Sequence, residues 1–417
     1  KMQFCIGDDG HTDRKMQFCI GDDGHTDRKM QFCIGDDGHT DRKMQFDVKM
    51  SEIMNQSILF ECPVKQLPFE NMARFETTAI FKKLTLAHRM LAELKGVVQS
   101  IPNQAILLNT LALQEAKHSS EIENIITTQD ELFKSDLNTE YFVNPAAKEV
   151  QQYSLALHYG FECVTAEKII RQSTILGVQQ CLELNKAGLR EQSVELRNSR
   201  TGEVVYIPPQ HKDDVVRLMS NLIDFINDDM LAQDLDPLIK MAIIHHQFES
   251  IHAFYDSNGR TGSILNILYL FQQELLDIPV LYLSRYLIQH KKEYYELLQA
   301  VRDKDEWENW VVFMLEAIAD TAQSTLMLVK EIKQLMGRFK HEFRSQLPKI
   351  YKQELLNNMF KHPYTKIEFV EQELGVSWQT ARRYLDELTR IGLLKKEKIG
   401  KHNYYINEPL FELFLKY

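Results

Sequence analysis

The sequence predicts a mainly α-helical protein with a smaller domain at its C-terminal end. The chain has 417 residues, of which 44% are hydrophobic, so it can bury a large core and divide into two or three domains. Apolar residues recur at helical spacing over most of the chain from residue 75 onward. Strand-like runs are short and lie around Thr201-Gly202 and around Gly400. Helices therefore dominate the predicted fold.

The chain begins with a perfect repeat. Residues 1–14 recur as 15–28 and 29–42, and a fourth copy begins at residues 43–46. A natural globular fold does not require an exact repeat of this kind without apolar periodicity, so we interpret residues 1–46 as an artefact and assign them no part in the fold. A calcium-binding role for the Asp-Asp-Gly units is the alternative. The repeats carry three of the six cysteines, and the scatter of the other three indicates a reducing compartment.

Composition also limits the classes of partner. We find no apolar run long enough to span a membrane, and residues 49–65 lack the pattern of a signal peptide, so we expect a cytoplasmic protein without a membrane partner. The net charge is -10, yet residues 331–417 carry 16 Lys and Arg against 11 Asp and Glu. This distribution argues against general coating of nucleic acid and allows a local contact with DNA or RNA at the C-terminal end.

Helical patterns fill the region before residue 200. They cover residues 75–99, 106–117, 148–162 and 167–185. Ser119 and Glu123 stand four residues apart, so on a helix they share one face. Taken alone, this short pattern is more typical of a surface Glu with a Ser one turn before it.

A β-hairpin is predicted over residues 197–206. Two short strand-like runs flank Thr201-Gly202, and Pro208-Pro209 ends the second run. The hairpin could be purely structural or could hold a ligand.

The most informative stretch is residues 252–263, which joins two helical patterns at 237–248 and 264–271. Its turn residues lead into a helix N-terminus, where free N–H groups and the positive end of the helix dipole favour an anion. His252 can accept a proton near neutral pH, Asp256 can hold a hard cation, and Arg260 can bind phosphate oxygens. An ordinary corner between two helices is the alternative.

This stretch resembles the signature of the Fic family, His-x-Phe-x-Asp/Glu-Gly-Asn-Gly-Arg-x-x-Arg. The resemblance implies transfer of AMP from ATP to a hydroxyl of a target protein, with His252 as base and Asp256 holding Mg²⁺. The departures are Ala253 for a frequent Pro, Ser257 for the first Gly, and Ser263 for the second Arg, so we expect low activity. The resemblance implies these nucleotide-binding residues: Ser257, Asn258, Gly259, Arg260, Thr261, Gly262, Ser263 and, from the adenine pocket, Tyr295.

The resemblance extends to two regulatory and binding elements. Ser119, Glu123 and Asn124 are similar to the inhibitory-helix motif of the family, in which the Glu pairs with the second signature Arg. Because that position is Ser263 here, Glu123 could instead repel phosphate or reach Arg260. The hairpin resembles the flap that holds the target segment by strand addition. We expect the following flap residues to bind the target: Arg197, Arg200 and Tyr206.

The last segment predicts a winged helix-turn-helix. A helix over 365–374, a turn at 375–377 with Ser377 as N-cap, and a helix over 378–391 precede two strands around Gly400. We place the start of this domain near residue 336, where Gly337 and Pro348 interrupt the helical periodicity. The candidates for DNA contacts are Gln379, Thr380, Arg382, Arg383 and Lys401. Docking of a protein or dimerisation is the alternative for this fold.

These predictions divide the chain into four parts: repeats over 1–46, an N-terminal helical lobe with the inhibitory helix over 47–170, a Fic core with flap and catalytic loop over 171–335, and the winged helix over 336–417. The expected partners are a protein with a Ser, Thr or Tyr hydroxyl, DNA through the C-terminal domain, and a second copy of the chain. Two functions remain open. One is an autoinhibited protein adenylyltransferase, favoured by the intact His252, Asp256, Asn258 and Arg260. The other is a DNA-binding regulator whose Fic body has become a nucleotide sensor, favoured by Ser257 and Ser263.

Overall fold

The computed structural model describes residues 62–128, 131, 145–183, 188–198, 201–232, 235–399 and 402–417, together with the backbone of four strands within residues 1–46. The chain separates into two compact units, Lys1–Glu61 and Cys62–Tyr417. The second unit contains every residue that the sequence assigned to a functional site.

The first unit is an antiparallel sheet in the order β1-β2-β3-β4, with one strand on each copy of the repeat. The strands are β1 Gln3–Cys5, β2 Lys15–Ile20, β3 Met30–Ile34 and β4 Met44–Phe46. The expectation that the repeats have no apolar periodicity was wrong. Met, Phe and Ile alternate with Gln and Cys in each copy, which is the period of a strand.

The second unit is mainly helical. Its first seven α-helices are α1 Thr78–Val98, α2 Ala105–Ile122, α3 Pro145–Glu167, α4 Gln172–Leu182, α5 Lys212–Asn227, α6 Pro237–Ile251 and α7 Asn258–Gln272. They are followed by α8 Ser284–Gln289, α9 Lys291–Lys304, α10 Trp307–Gln346, α11 Gln353–Lys361, α12 Ile367–Leu374, α13 Trp378–Arg390 and α14 Glu408–Lys416. The predicted helices are thus present, with ends that differ by a few residues.

Two small sheets complete the second unit. The predicted hairpin consists of β5 Leu196–Arg197 and β6 Val204–Tyr206, which pair antiparallel. Near the C-terminus, β7 Tyr364–Thr365, β8 Lys395–Ile399 and β9 His402–Ile406 form a sheet in the order β7-β9-β8.

Helices α6 and α7 form the centre of the core. Both are buried on almost all sides, and the loop at residues 252–257 connects them along the chain. Helices buried on every side are apolar all round, which is why the sequence of α7 shows little amphipathic character. Trp307 and Trp310 of α10 are buried and pack against His246 of α6. The loop is therefore held between two buried helices.

Helix α10 corrects one prediction. It continues for 40 residues through Gly337, which was expected to interrupt the helical pattern, and ends at Gln346, two residues before Pro348. A single Gly costs a helix about 1 kcal/mol, far less than the packing of this long helix contributes. The boundary predicted near residue 336 thus lies inside a helix. By length and composition α10 alone among the described helices could cross a membrane, but 67% of its most apolar window is buried within the protein.

The C-terminal elements follow the predicted order of helix, turn, helix and hairpin. Ser377 caps α13 by accepting a hydrogen bond from the backbone N–H of Thr380 at 3.4 Å. Thr365, expected to begin a helix, belongs to β7, which pairs with β9 and adds a third strand to the hairpin. Whether this region is a winged helix that binds DNA stays a prediction.

Candidate active site

The candidate site begins where α6 ends. His252 caps α6 in a left-handed conformation with φ 48°, and Ser257 adopts a second one with φ 65° immediately before α7. Residues with a Cβ adopt this conformation at a cost of roughly 1 kcal/mol each. Both His252 and Ser257, which stands where the family signature has Gly, therefore carry backbone strain.

Hydrogen bonds within the loop offset this strain. The Asn258 side chain accepts from the backbone N–H of Phe254 at 3.0 Å and donates to the carbonyl of the same residue at 3.0 Å. Phe254 itself is buried in the core. The Asn258 side chain thus shapes the loop, and its expected part in binding the nucleotide stays a prediction.

Arg190 holds the backbone of the loop by hydrogen bonds, and the sequence did not indicate this role. Its side chain is buried, and its Nε donates to the carbonyl oxygen of His252 at 2.8 Å. The same guanidinium also donates to three more carbonyls, those of Gln192, Pro209 and Ile251. A fork of five N–H donors suits a cluster of carbonyl groups, so Arg190 fixes the backbone that presents His252. Neither a motif nor a spacing in the sequence marks this role.

The N-terminus of α7 holds a carboxylate. Glu123, just beyond α2, accepts from the backbone N–H of Arg260 at 3.2 Å through Oε1 and from its guanidinium Nε at 2.7 Å through Oε2. Gly259 lies so close that a Cβ there would come within 3.0 Å of Oε1. Burial raises the pKa of Glu123 by more than the charge of Arg260 lowers it. The carboxyl group of Glu123 thus occupies a helix N-terminus of the kind that binds phosphate.

The guanidinium of Arg260 is enclosed by acceptors. Its side chain is 4% exposed, and besides Glu123 it contacts Glu149 at 3.4 Å and Asp256 at 3.8 Å. It also donates to the Ser257 hydroxyl at 2.8 Å. The serine that departs from the signature therefore holds Arg260 in place, a contact that Gly could not make.

His252 is the candidate base. Burial lowers the pKa of its imidazole to about 4, and the positive charges of Arg302 and Arg190 act in the same direction. The ring is therefore neutral at pH 7 and has a lone pair available for a proton.

Glu123 and His252 line one cavity of about 720 Å³. Its wall combines the end of α2, the hairpin, α9 and the catalytic loop. The predicted site residues in the wall are Ser119, Glu123, Asn124, Arg197, Tyr206, His252, Gly259, Ser263 and Tyr295. Thr261 and Gly262 face the core inside α7, so neither is on the surface of this cavity. A Cβ on Gly262 would come within 2.7 Å of Glu249 Oε1, which explains the glycine by packing.

Three family models match the second unit. The model "Fic/DOC family N-terminal" matches residues 81–162, "Fic/DOC family" matches 173–270, and "Protein adenylyltransferase SoFic-like, C-terminal domain" matches 335–410. The chain belongs to the Fic family. It is a Fic domain protein with an N-terminal helix, and its main fold class is as predicted.

Several solved structures are similar to the chain. A Fic family protein from Desulfovibrio desulfuricans G20 has a TM-score of 0.51 at 18% identity, and the match covers 82% of this chain and 98% of that one. A Fic domain containing signaling protein from Bacteroides thetaiotaomicron VPI-5482 has a TM-score of 0.49 at 13% identity, covering 59% and 97%. Fic-1 from C. elegans has a TM-score of 0.48 at 18% identity, covering 62% and 75%. The first of these supports the fold and nothing beyond it.

Two further charged residues of this Fic protein face the cavity and were missed from the sequence. Burial raises the pKa of Glu249 to about 7, and its Oε1 has no hydrogen-bond partner among the described residues. Arg302 donates to the Ser250 hydroxyl at 3.1 Å and to the Glu249 carbonyl at 3.2 Å. Arg302 lies on α9, far along the chain from the signature loop, and Glu249 lies in the buried helix α6 that precedes the loop. The spacing of residues within the signature therefore marked neither of them.

The hairpin presents an apolar edge beside the cavity. Tyr206 is buried, donates to the Ser250 carbonyl at 2.9 Å and carries the Arg302 guanidinium 3.9 Å above its ring. Its neighbours Val205 and Ile207 are exposed. Arg197 donates to the carbonyl of Gly202 and to Glu195 within the hairpin, and Arg200 lies outside the described residues.

Asp256 fits the role of a cation ligand in part. Its side chain is 55% exposed, and its Oδ1 accepts from the Ser257 N–H at 2.6 Å. Over the described residues no cluster of three His, Cys, Asp or Glu side chains could hold a metal. One carboxylate completed by phosphate oxygens and water is a common arrangement for Mg²⁺, so Asp256 suits a metal that arrives with a nucleotide.

The DNA-contact candidates lie on α13. Gln379 and Arg383 are exposed there, and Arg382 pairs with Asp386 at 3.5 Å. Thr380 contacts Ser377 at 3.0 Å, and Lys401 lies outside the described residues. Acidic partners thus neutralise part of the basic face that the sequence indicated.

Proposed function

We propose that the chain is a protein adenylyltransferase that moves AMP from ATP to a hydroxyl group of a target protein, and that α2 inhibits it. One observation carries this proposal. The carboxylate of Glu123 takes both the backbone N–H and the guanidinium of Arg260, beside a neutral His252 in the same cavity. A carboxylate in these two contacts imitates a phosphate, so its position marks the anion site.

The chemistry follows from the neighbouring groups. The neutral imidazole of His252 accepts the proton of the target hydroxyl as the hydroxyl oxygen forms a bond to the α-phosphorus of ATP. The bond between that phosphorus and the bridging oxygen breaks, and pyrophosphate leaves with the electron pair. The N-terminus of α7 and Arg260 stabilise the negative charge that develops on the phosphate oxygens.

Asp256 would hold Mg²⁺ together with oxygens of the nucleotide. The ion, when bound, neutralises phosphate charge and orients the leaving group. The exposed carboxylate beside the loop supports this assignment.

The target segment would add to β6 as an extra strand. The strand is exposed at Val204 and Val205, and a free edge beside a catalytic cavity suits an extended peptide. Backbone hydrogen bonds would then bring a Ser, Thr or Tyr hydroxyl toward His252, with little demand on the rest of the target sequence.

Inhibition would come from competition for one site. While Glu123 occupies the N-terminus of α7, a phosphate that entered would meet a like charge in a partly desolvated cavity. ATP must therefore displace the carboxylate or bind in an unproductive position. Removal of Glu123 would restore the site.

Incubation with labelled ATP and Mg²⁺ tests the proposal, scored as label on the chain itself or on proteins of a lysate. We expect Glu123→Gly to incorporate label at least about tenfold faster than the unaltered protein, because a charge-assisted contact is worth roughly tenfold or more. Glu121→Gly, two residues earlier on the same helix, is the control for an added glycine. A Glu123→Gly protein that binds ATP and transfers no label would overturn the proposal.

A DNA-binding regulator is the second candidate. It is supported by the exposed Gln379 and Arg383 at the start of α13. If this candidate holds, DNA binding should weaken in Arg383→Ala and should weaken with added salt. Pairing with a second copy of the chain also stays a proposal.

A further inference from the structure

The cavity is lined by few cations that could turn toward a ligand. Arg302 is fixed by Ser250, by the Glu249 carbonyl and by the ring of Tyr206. Arg197 is held by Glu195 and by a carbonyl of its own hairpin. Ser263, where the family resemblance leads one to expect an Arg, carries no charge and lies 3.4 Å from the Ser284 hydroxyl.

Lys291 differs from these cations. It is the first residue of α9, it lines the cavity, and its Nζ donates to Asn124 Oδ1 at 3.1 Å. That acceptor is a neutral amide, so the contact is weaker than an ion pair and exchanges more easily for a contact with an anion. A lysine has four rotatable bonds, and its three donors can turn to a new acceptor without any change in the backbone.

The tether comes from the same turn that carries Glu123. Asn124 follows Glu123, the C-cap of α2, and adopts a left-handed conformation with φ 67°, and its side chain reaches Lys291 of α9. Two consecutive residues at the end of α2 therefore hold two cations, one at the N-terminus of α7 and one in the cavity wall. Glu123 holds Arg260, and Asn124 holds Lys291.

We propose that Lys291 binds the phosphates of ATP beyond the α-phosphate, and that Asn124 withholds it while α2 is in place. The inference rests on the proposed function, and it supplies the charge that Ser263 does not provide. Displacement of one helical turn then releases both cations together. Productive ATP binding and loss of inhibition become the same event.

The first experiment measures nucleotide affinity in the Glu123→Gly background. Lys291→Met should weaken binding of ATP roughly ten- to a hundredfold, the worth of one charge-assisted contact, and leave binding of AMP within about twofold. Lys292→Met is the matched control, since Lys292 is the adjacent lysine, with a side chain 90% exposed and 3.5 Å from Glu296. Equal effects of Lys291→Met and Lys292→Met on ATP would overturn the inference, as would equal loss of ATP and AMP binding.

The second experiment tests the tether. Asn124→Gly keeps the left-handed turn, which glycine adopts freely, and removes the amide. With Glu123 intact, this change should strengthen ATP binding severalfold in a chain that carries Lys291, and should have no such effect beside Lys291→Met. The same gain in both chains would show that Asn124 acts without Lys291, and would overturn this part.

The outcomes separate the two proposals. If the Glu123→Gly protein binds ATP and transfers AMP but responds equally to Lys291→Met and Lys292→Met, only the role of Lys291 fails. If it binds ATP and never transfers label, the proposed function fails first.

Discussion

The two sides of the cavity are held in different ways. The catalytic loop is fixed by buried contacts, with Asn258 bonded to both backbone groups of Phe254 and Arg190 bonded to the His252 carbonyl. The end of α2 is held by polar contacts nearer the surface, where the Glu123 side chain is 24% exposed and Asn124 is exposed. Breaking the first set unfolds the loop, whereas the second set can exchange for water or phosphate. The comparison indicates a firmly held loop on one side and a more easily displaced end of α2 on the other.

Helix α2 is nevertheless anchored along its length. Glu115 accepts from the Ser284 hydroxyl at 2.5 Å and from the Tyr153 hydroxyl at 3.2 Å, and burial raises its pKa to about 7. These contacts lie two turns before Glu123. Any displacement is therefore expected in the last turn of α2, with the body of the helix in place.

The largest effect is expected at the base. His252→Ala should reduce AMP transfer by about 10²–10⁴-fold, the usual contribution of a general base, and should leave ATP affinity nearly unchanged. Single-turnover labelling and calorimetry on the same preparation would measure both quantities. A mutant that labels at the parent rate would exclude His252 as the base.

Arg190→Met should loosen the firmly held loop. Four carbonyl groups lose their donor, so we expect unfolding to become easier by about 2–4 kcal/mol and the rate of transfer to fall by about 10²-fold, since misplacement of His252 by about 1 Å is enough. Thermal denaturation and labelling would measure the two effects. Arg217→Met, at an exposed arginine paired with Asp214, is the control. A loss of stability without any loss of rate would show that Arg190 does not position His252.

The pH dependence tests the environment of His252. Because transfer needs the neutral imidazole and burial lowers the pKa of His252 to about 4, the rate should hold as pH falls through 6.5 and decline only toward pH 4 to 5. The profile should be taken as kcat/KM, which reports the free protein, in the Glu123→Gly background. An acid limb centred near 6.5 would show that the imidazole is solvated like a free histidine.

Ser257→Gly should have the smallest effect. Relief of the left-handed strain contributes roughly 1 kcal/mol, while loss of the hydroxyl that accepts from Arg260 removes a contact of similar or larger size. We expect a change in stability within about 1–2 kcal/mol, measured by chemical denaturation. A large gain in stability would mean that the hydroxyl contributes nothing to holding Arg260.

The same contrast explains what the sequence could reveal. Helical periodicity, turn residues and the local signature predicted both helices and the turn between them, because each depends on neighbours a few residues apart. The loop was expected over 252–263, whereas α7 already begins at Asn258. The possibility that Glu123 reaches Arg260 followed from the resemblance and is confirmed by the contact. Residues such as Arg190, Glu249 and Lys291 act through partners far along the chain or through burial, and neither leaves a local pattern. At Gly337 the sequence showed a local helix breaker, yet α10 continues through it because tertiary packing outweighs the cost of one glycine.

The central claim is that Glu123 occupies the phosphate site at the N-terminus of α7. The most direct measurement is the affinity for ATP of the unaltered protein, of Glu123→Gly and of the control Glu121→Gly, determined by calorimetry with Mg²⁺ present. We expect Glu123→Gly to bind ATP roughly ten- to a hundredfold more tightly than the other two, because the carboxylate no longer competes for the N–H and guanidinium of Arg260. Equal affinity in all three proteins would contradict the claim.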